Sequence, residues 1–109
     1  MDEEVTIDDF RRLKIVTAKV VQCEKIQKSK RLLRIIVEIG SEKRQIISSI
    51  ADHYEPESLV GKTIIVLKNL KKSSFMGYES EGMLLAVENG DFLSLLTTDR
   101  ETPPGLMVS

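Results

Sequence analysis

An all-β fold with short helices is predicted for this 109-residue chain by three features of its sequence. The apolar residues are mostly Ile, Val and Leu, which suit a pleated, half-buried surface. They come in short runs separated by turn-forming residues. One run, Leu33, Ile35, Val37 and Ile39, recurs at the two-residue period of a strand. The length fits one domain. With 41% hydrophobic and 30% charged residues, the composition excludes a disordered or fibrous chain.

The elements follow in order. Thr6 is a suitable N-cap for a short helix through about Arg12, with Asp8 and Asp9 at the positive end of its dipole. Phe10 and Leu13 are expected to pack inward. Residues 14–26 read as a strand whose alternation breaks near Ala18-Lys19, the signature of a bulge. Residues 27–30 form a polar turn, 31–39 a second strand, Gly40-Ser41-Glu42 a hairpin loop and 45–50 a third strand. Pro56 suits a first helical position, and Gly61 ends that short helix. Residues 63–70 form the fourth strand, 71–77 a basic mobile loop and 82–88 the fifth strand. Asn89-Gly90 is a hairpin turn signal leading to a short sixth strand, 92–96. Residues 99–109, with Pro103-Pro104-Gly105, read as an ordered tail or a final extended segment.

Three strands, a short helix and two more strands is the order of a five-stranded OB-fold Greek-key barrel, here with an N-terminal helical turn and a C-terminal extension. Residues 1–109 are expected to form one domain. Within it, 1–13 is the helical segment, 14–88 the barrel and 89–109 an extension suited to a dimer contact. Such barrels bind oligonucleotides on the face of strands 2 and 3 and through the loops joining strands 1–2 and 4–5. Those loops are residues 27–30 and 71–81.

The net charge of −1 argues against a polyanion ligand, but its distribution does not. Residues 11–34 hold nine bases and one acid, and residues 61–75 hold four bases and no acid; the segments before, between and after them are acidic. Net charge cannot report such segregation. If folding brings both basic blocks to one side, that side attracts polyphosphate, and counterion release drives binding. The bland reading is that these bases simply solvate strand faces.

Catalytic chemistry has little to stand on. His53 is the only histidine and Cys23 the only cysteine, so neither a disulfide within the chain nor a zinc site is expected. No phosphate-loop glycine pattern or zinc-protease spacing occurs. No enzyme activity, cofactor, metal or small-molecule substrate is expected. An acidic N-terminus and the lack of a run of roughly 20 apolar residues lead to the expectation of a cytoplasmic protein without a membrane partner. Phe75 and Tyr78 flank the 71–81 loop, where they would either stack on bases or, for Phe75, anchor the loop to the core. Scarce aromatics, at 5%, favour a structured RNA read by phosphates and shape over a long single strand.

Residues 69–83 contain a recognisable pattern. Asn69-Leu70-Lys71 followed by Gly77-Tyr78-Glu79-Ser80-Glu81-Gly82-Met83 resembles the NLK…G-x-x-S-x-G-M signature of the tRNA-binding OB-fold family. That family includes methionyl-tRNA synthetase C-terminal domains, free-standing dimeric tRNA-binding proteins and EMAP-II-like domains. Ile7-Asp8-Asp9-Phe10, the stretch from Tyr54 to Lys62, and Asp99-Arg100 with Pro104-Gly105 extend the resemblance over nearly the whole chain. Where the family has acidic-Lys-Leu after the first turn, this chain has Lys30-Arg31-Leu32; its strand 1 carries Lys14-Ile15-Val16-Thr17 in place of D-L-R-V.

The resemblance implies non-catalytic, structure-specific tRNA binding at the outside corner, by a free-standing protein or by a methionyl-tRNA synthetase appendix or beta subunit. It implies tRNA as partner, a homodimer and association with an aminoacyl-tRNA synthetase. The tRNA-binding residues it implies are Asn69, Lys71, Ser80 and Met83, which fall on the family's loop motif, and the basic blocks add Lys30, Arg31, Lys68 and Lys72 as expected contacts. Among them Asn69 and Ser80 would bond phosphate or ribose, and Met83 would chiefly pack to shape the loop. The alternative is a chaperone-like or protein-interaction OB-fold dimer, since secretion-chaperone relatives keep the barrel with an altered loop.

Overall fold

Strand β1 (Ile15–Lys25) organises the chain because its eleven residues serve two partners. Its first half pairs antiparallel with β4 (Thr63–Leu67) and its second half with β2 (Leu33–Ile39), Lys19 facing both. The computed structural model describes residues 2–109, so Met1, part of the expected helical segment, lies outside the described residues. The β1–β2 register shifts between Val20 and Gln22, which leaves Val21 as the extra residue of a bulge. The bulge lies just beyond the Ala18-Lys19 break in alternation; the added twist lets one strand turn from one partner to the other.

From β2 the chain turns at Gly40-Ser41 into β3 (Glu42–Ser48). Helix α2 (Pro56–Leu59) has proline in its first turn, and Leu59 is fully buried between α2 and the sheet. The fourth strand ends at Leu67 rather than at residue 70, and β7 (Met83–Leu84) pairs with it. The resulting order, β3-β2-β1-β4-β7, is that of the OB barrel. Leu33, Ile35 and Val37 of β2, Ile46 of β3, Val20 of β1, and Ile64 and Val66 of β4 fill the interior and are buried to 1% exposure or less.

A curled sheet still has two edges, and segment 79–82 joins them. The Glu81 backbone N–H donates to Gln45 O at 2.8 Å. The Gln45 N–H donates to Glu81 Oε1 at 3.0 Å, and the Ile47 N–H donates to Ser80 Oγ at 3.0 Å. The free edge of β3 is thereby satisfied, with two of these three bonds made to side-chain oxygens. Gly82 makes this possible: a Cβ there would lie 2.9 Å from Leu67 O.

Three further features differ from expectation. The loop expected to be mobile at 71–77 contains strand β5 (Ser73–Phe75), which pairs with β6 (Tyr78–Ser80) across a tight turn. The single fifth strand expected at 82–88 is divided. Met83–Leu84 stays in the barrel, and β8 (Ala86–Asn89) forms a separate hairpin with β9 (Phe92–Leu95) through the Asn89-Gly90 turn. Helix α1 (Ile7–Arg11) has the expected Thr6 cap, with reciprocal bonds between Thr6 and Asp9, yet buries none of its residues. Phe10 is half-buried and Leu13 is 44% exposed, because the helix abuts the chain's C-terminal segment rather than the core. Ile7, Phe10 and Leu13 line an open apolar cleft of about 380 Å³ with Met107 and Val108.

That C-terminal segment is paired rather than lying loose on the surface. The Thr17 N–H donates to Leu106 O, the Gly105 N–H to Thr17 O and the Val108 N–H to Ile15 O. Thr17 Oγ1 donates to Pro103 O at 2.9 Å and accepts from the Leu106 N–H at 3.0 Å. Residues 103–108 thus occupy the stretch of β1 edge that β2 does not reach. Closure through segment 79–82 generates a stability expectation. Ser80→Ala leaves the Ile47 N–H buried without a partner and is expected to cost about 1–3 kcal/mol in urea unfolding, with an unchanged m-value. Gly82→Ala is expected to destabilise as well.

Candidate nucleic-acid interface

The residues singled out from sequence divide into a buried group and an exposed group. Ser80 is 3% exposed. Its hydroxyl accepts from Ile47 and donates to Gly82 O at 3.0 Å, so both its bonds are internal. Asn69 is exposed, but its amide is committed at both ends. Oδ1 accepts the Lys14 N–H and Nδ2 donates to Arg12 O, each at 2.8 Å. These two side chains, expected to bond phosphate or ribose, make hydrogen bonds within the chain: Ser80 closes the barrel, and Asn69 ties the end of β4 to the α1–β1 junction. Met83, expected chiefly to pack and shape the loop, pairs with Leu67 in the barrel and has 43% of its surface in solvent.

The bases are exposed or half-buried, and several are paired. Arg31 Nε lies 3.6 Å from Asp52, Lys72 Nζ lies 3.6 Å from Glu79, and Lys68 Nζ lies 2.7 Å from Glu42. Lys30 and Lys71 make no ion pair among the described residues. Exposed pairs of this kind contribute little free energy, because water already solvates both partners. They hold a lysine loosely and yield to a denser anion. The Lys68–Glu42 contact is the tightest of the three. It holds the Glu42 carboxyl below its ordinary value, chiefly through the Lys68 hydrogen bond, with Arg44 adding to the effect.

The two basic blocks do not merge into one patch as the sequence suggests. The Asn69 amide and the bond from the Lys68 N–H to Lys14 O, 2.7 Å, bring Arg12 and Lys14 against Lys68. Residues 28–31 lie beyond the other end of β1. Eleven strand residues at about 3.3 Å each put these groups roughly 30 Å apart along the strand. The first block is therefore spread along β1 between two poles; of the second block Lys68 joins the Lys14 pole, whereas Lys62, whose C=O accepts the Val20 N–H, lies at the other end of β4.

Sequence reasoning missed Arg44 and Gln45. Arg44 Nη1 donates to Lys68 O at 2.7 Å and to Glu81 O at 3.2 Å, bracing the root of the 71–81 excursion. Gln45 Nε2 donates to Glu79 O at 2.8 Å, while Gln45 Oε1 accepts from Arg34 Nε at 2.7 Å. Their partners lie 11–37 residues away, and no local pattern announces them.

Cys23 is half-buried, and burial, followed by Glu24 and Glu57, pushes its thiol up to about 11, which keeps it protonated at neutral pH. His53 is exposed, on a hollow also lined by Arg31, Asp52, Glu88 and Asp91. Among the described residues no group of three or more His, Cys, Asp or Glu is arranged to hold a metal, and no helix is long and apolar enough to cross a membrane.

Comparison with known proteins adds the lineage. The family described as "Putative tRNA binding domain" matches residues 15–107. A methionine–tRNA ligase of Thermotoga maritima is 54% identical over 96% of this chain, and one of Archaeoglobus fulgidus is 49% identical over 97%. The chain spans 17% and 16% of the lengths of those relatives. A solved structure described as a MetRS-related protein from Pyrococcus horikoshii superposes with a TM-score of 0.93 at 38% identity, covering 99% of this chain and all of that one.

The Glu42 contact has a measurable consequence. Because its folded-state pKa is depressed, the stability it contributes is present above the unfolded-state value and is lost as pH falls through the folded-state value. In Lys68→Met the Glu42 carboxyl is expected to titrate at higher pH than in the wild type, as read by carbon-detected NMR.

Proposed function

This chain belongs to the putative tRNA-binding domain family, and we propose that it binds folded tRNA through phosphate contacts, without catalysis of its own. The observation that carries the reading is the Asn69 clamp, which joins Arg12 and Lys14 to Lys68 across more than fifty residues of sequence. Lys71 and Lys72 extend this pole, and Lys30 and Arg31 form the other. A separation of roughly 30 Å corresponds to about nine base-pair steps of duplex, which suits a large, rigid polyanion better than a short oligonucleotide. Phosphate contacts position such a ligand and carry no sequence information. The module would act in the cytoplasm beside an aminoacyl-tRNA synthetase, free-standing or as part of a methionyl-tRNA synthetase, and raise the local concentration of tRNA.

A second copy of the chain is the proposed occupant of the cleft between α1 and the C-terminal segment. Ile7, Leu13 and Met107 are each at least 44% exposed there, a concentration of apolar surface that a chain this small gains by covering. Sedimentation is expected to give a homodimer, and Leu13→Asp a monomer that remains folded. A wild-type monomer would remove the dimer.

Binding to total tRNA is expected to weaken steeply with salt, with a log–log slope of roughly −4 for about five neutralised phosphates. Lys71→Ala makes the slope shallower and weakens all tRNAs alike. Glu42→Gln releases Lys68 and tightens binding. A flat salt response overturns the reading. Preference for an unfolded polypeptide over bulk tRNA in competition would favour the chaperone-like alternative.

A further inference from the structure

The β5–β6 hairpin has properties that phosphate binding leaves unexplained. Phe75, Met76 and Tyr78 are 40%, 55% and 38% exposed, so three large apolar side chains stand in solvent on one short excursion. Phe75 and Tyr78 are directly paired across the two strands, which puts their rings on the same face. Two of the five aromatic residues in the chain are spent here, outside the core. The hairpin is braced all the same. Gln45 holds Glu79 O, Arg34 holds Gln45, and Arg34 Nη1 reaches Glu24 Oε1 at 2.8 Å, a polar relay running from the hairpin to β1.

The turn itself is chosen against its own stability. Met76 and Gly77 both have left-handed backbone, with φ of +52° and +86°. A two-residue turn of this kind favours Asn-Gly, and a long side chain at positive φ is strained. Methionine at that position exposes apolar surface in exchange for strain, which is unfavourable on both counts unless something covers it.

We propose that this hairpin is a stacking platform for an unpaired base of the bound RNA, with the Phe75 and Tyr78 rings against its face and the Met76 thioether along its edge. The proposal rests on the tRNA-binding reading above. A nucleotide fits the surroundings because it offers a π-face to the rings and a phosphate to Lys71 and Lys72 at the hairpin root. A base inside a duplex is already stacked on both sides, so the partner is a base left open by the tertiary fold of the RNA. The polar relay braces the platform before binding despite the strained turn, which lowers the entropy cost of capture.

The test separates stacking from charge. Phe75→Ala and Tyr78→Ala are each expected to weaken total-tRNA binding roughly 5- to 150-fold at every salt concentration, with the slope unchanged. Tyr78→Phe keeps the affinity, because the ring is what stacks. Met76→Asn is expected to maintain or raise the Tm while lowering affinity. Phe75→Trp introduces the first tryptophan into a chain that has none, and its fluorescence is expected to fall on tRNA addition. Full affinity in both alanine variants, or an unquenched tryptophan, overturns the platform while leaving tRNA binding intact. Alanine variants that keep RNA affinity but lose capture of an unfolded polypeptide overturn it in favour of a protein ligand. A wild-type chain that ignores tRNA overturns the reading beneath it.

Discussion

Everything about this barrel depends on what happens at the free edge of β3. Five short strands with a bulged central member curl far enough to bring that edge opposite residues 79–82, but the two do not form a regular ladder. Ser80 Oγ and Glu81 Oε1 accept the N–H groups of Ile47 and Gln45, and the Glu81 N–H donates to Gln45 O. An unpaired edge would leave polar groups buried against the core or offered to a second chain. Closing it with side chains imposes a sequence on the closing segment: a short hydroxyl, a carboxylate two bonds longer, and a glycine where Leu67 O comes close. The Ser-Glu-Gly stretch of the family signature is therefore accounted for by the closure of the barrel, and the excursion between β4 and β7 hangs from a fixed point.

The strands were legible because burial imposes periodicity. Leu33, Ile35, Val37 and Ile39 alternate in the sequence and alternate in burial. The Thr6 cap and Pro56 were legible because capping is local chemistry. Asn69 and Ser80 were legible as a pattern, but their internal bonds were not: their partners lie 57 and 33 residues distant, and a polar residue in a basic stretch reads equally well as a ligand contact or as a clamp. The β5–β6 hairpin was missed because its strands have no buried face to alternate against. The division of residues 82–88 into β7 and β8 was missed because a change of partner strand leaves apolar composition unchanged. Phe10 and Leu13 are apolar without being core.

The charge pattern shows a similar limit. A block of nine bases looks like one patch when written in a line, yet an eleven-residue strand runs through it and carries its halves to opposite poles. Acidic neighbours then temper several of these bases, Glu24 on Arg34 most tightly, and Glu42 does the same to Lys68 of the second block. The net charge of −1 thus describes neither pole. Under the proposed reading such a surface would discriminate by distance and shape, because a small anion can satisfy one pole but only a long one can reach both.

The pairing of residues 103–108 with β1 has a consequence in time. During translation the N-terminal strand leaves the ribosome first, while its tail partner follows nearly ninety residues later. At about 5–20 residues per second, that gap is on the order of ten seconds. For that interval Val16 and Ala18 belong to a nascent sheet whose flank is bare, and a hydrogen-bonding edge stands open in a crowded cell. This contact is among the most non-local in the chain, which leaves the nascent barrel open to wrong pairing until residues 103–108 emerge.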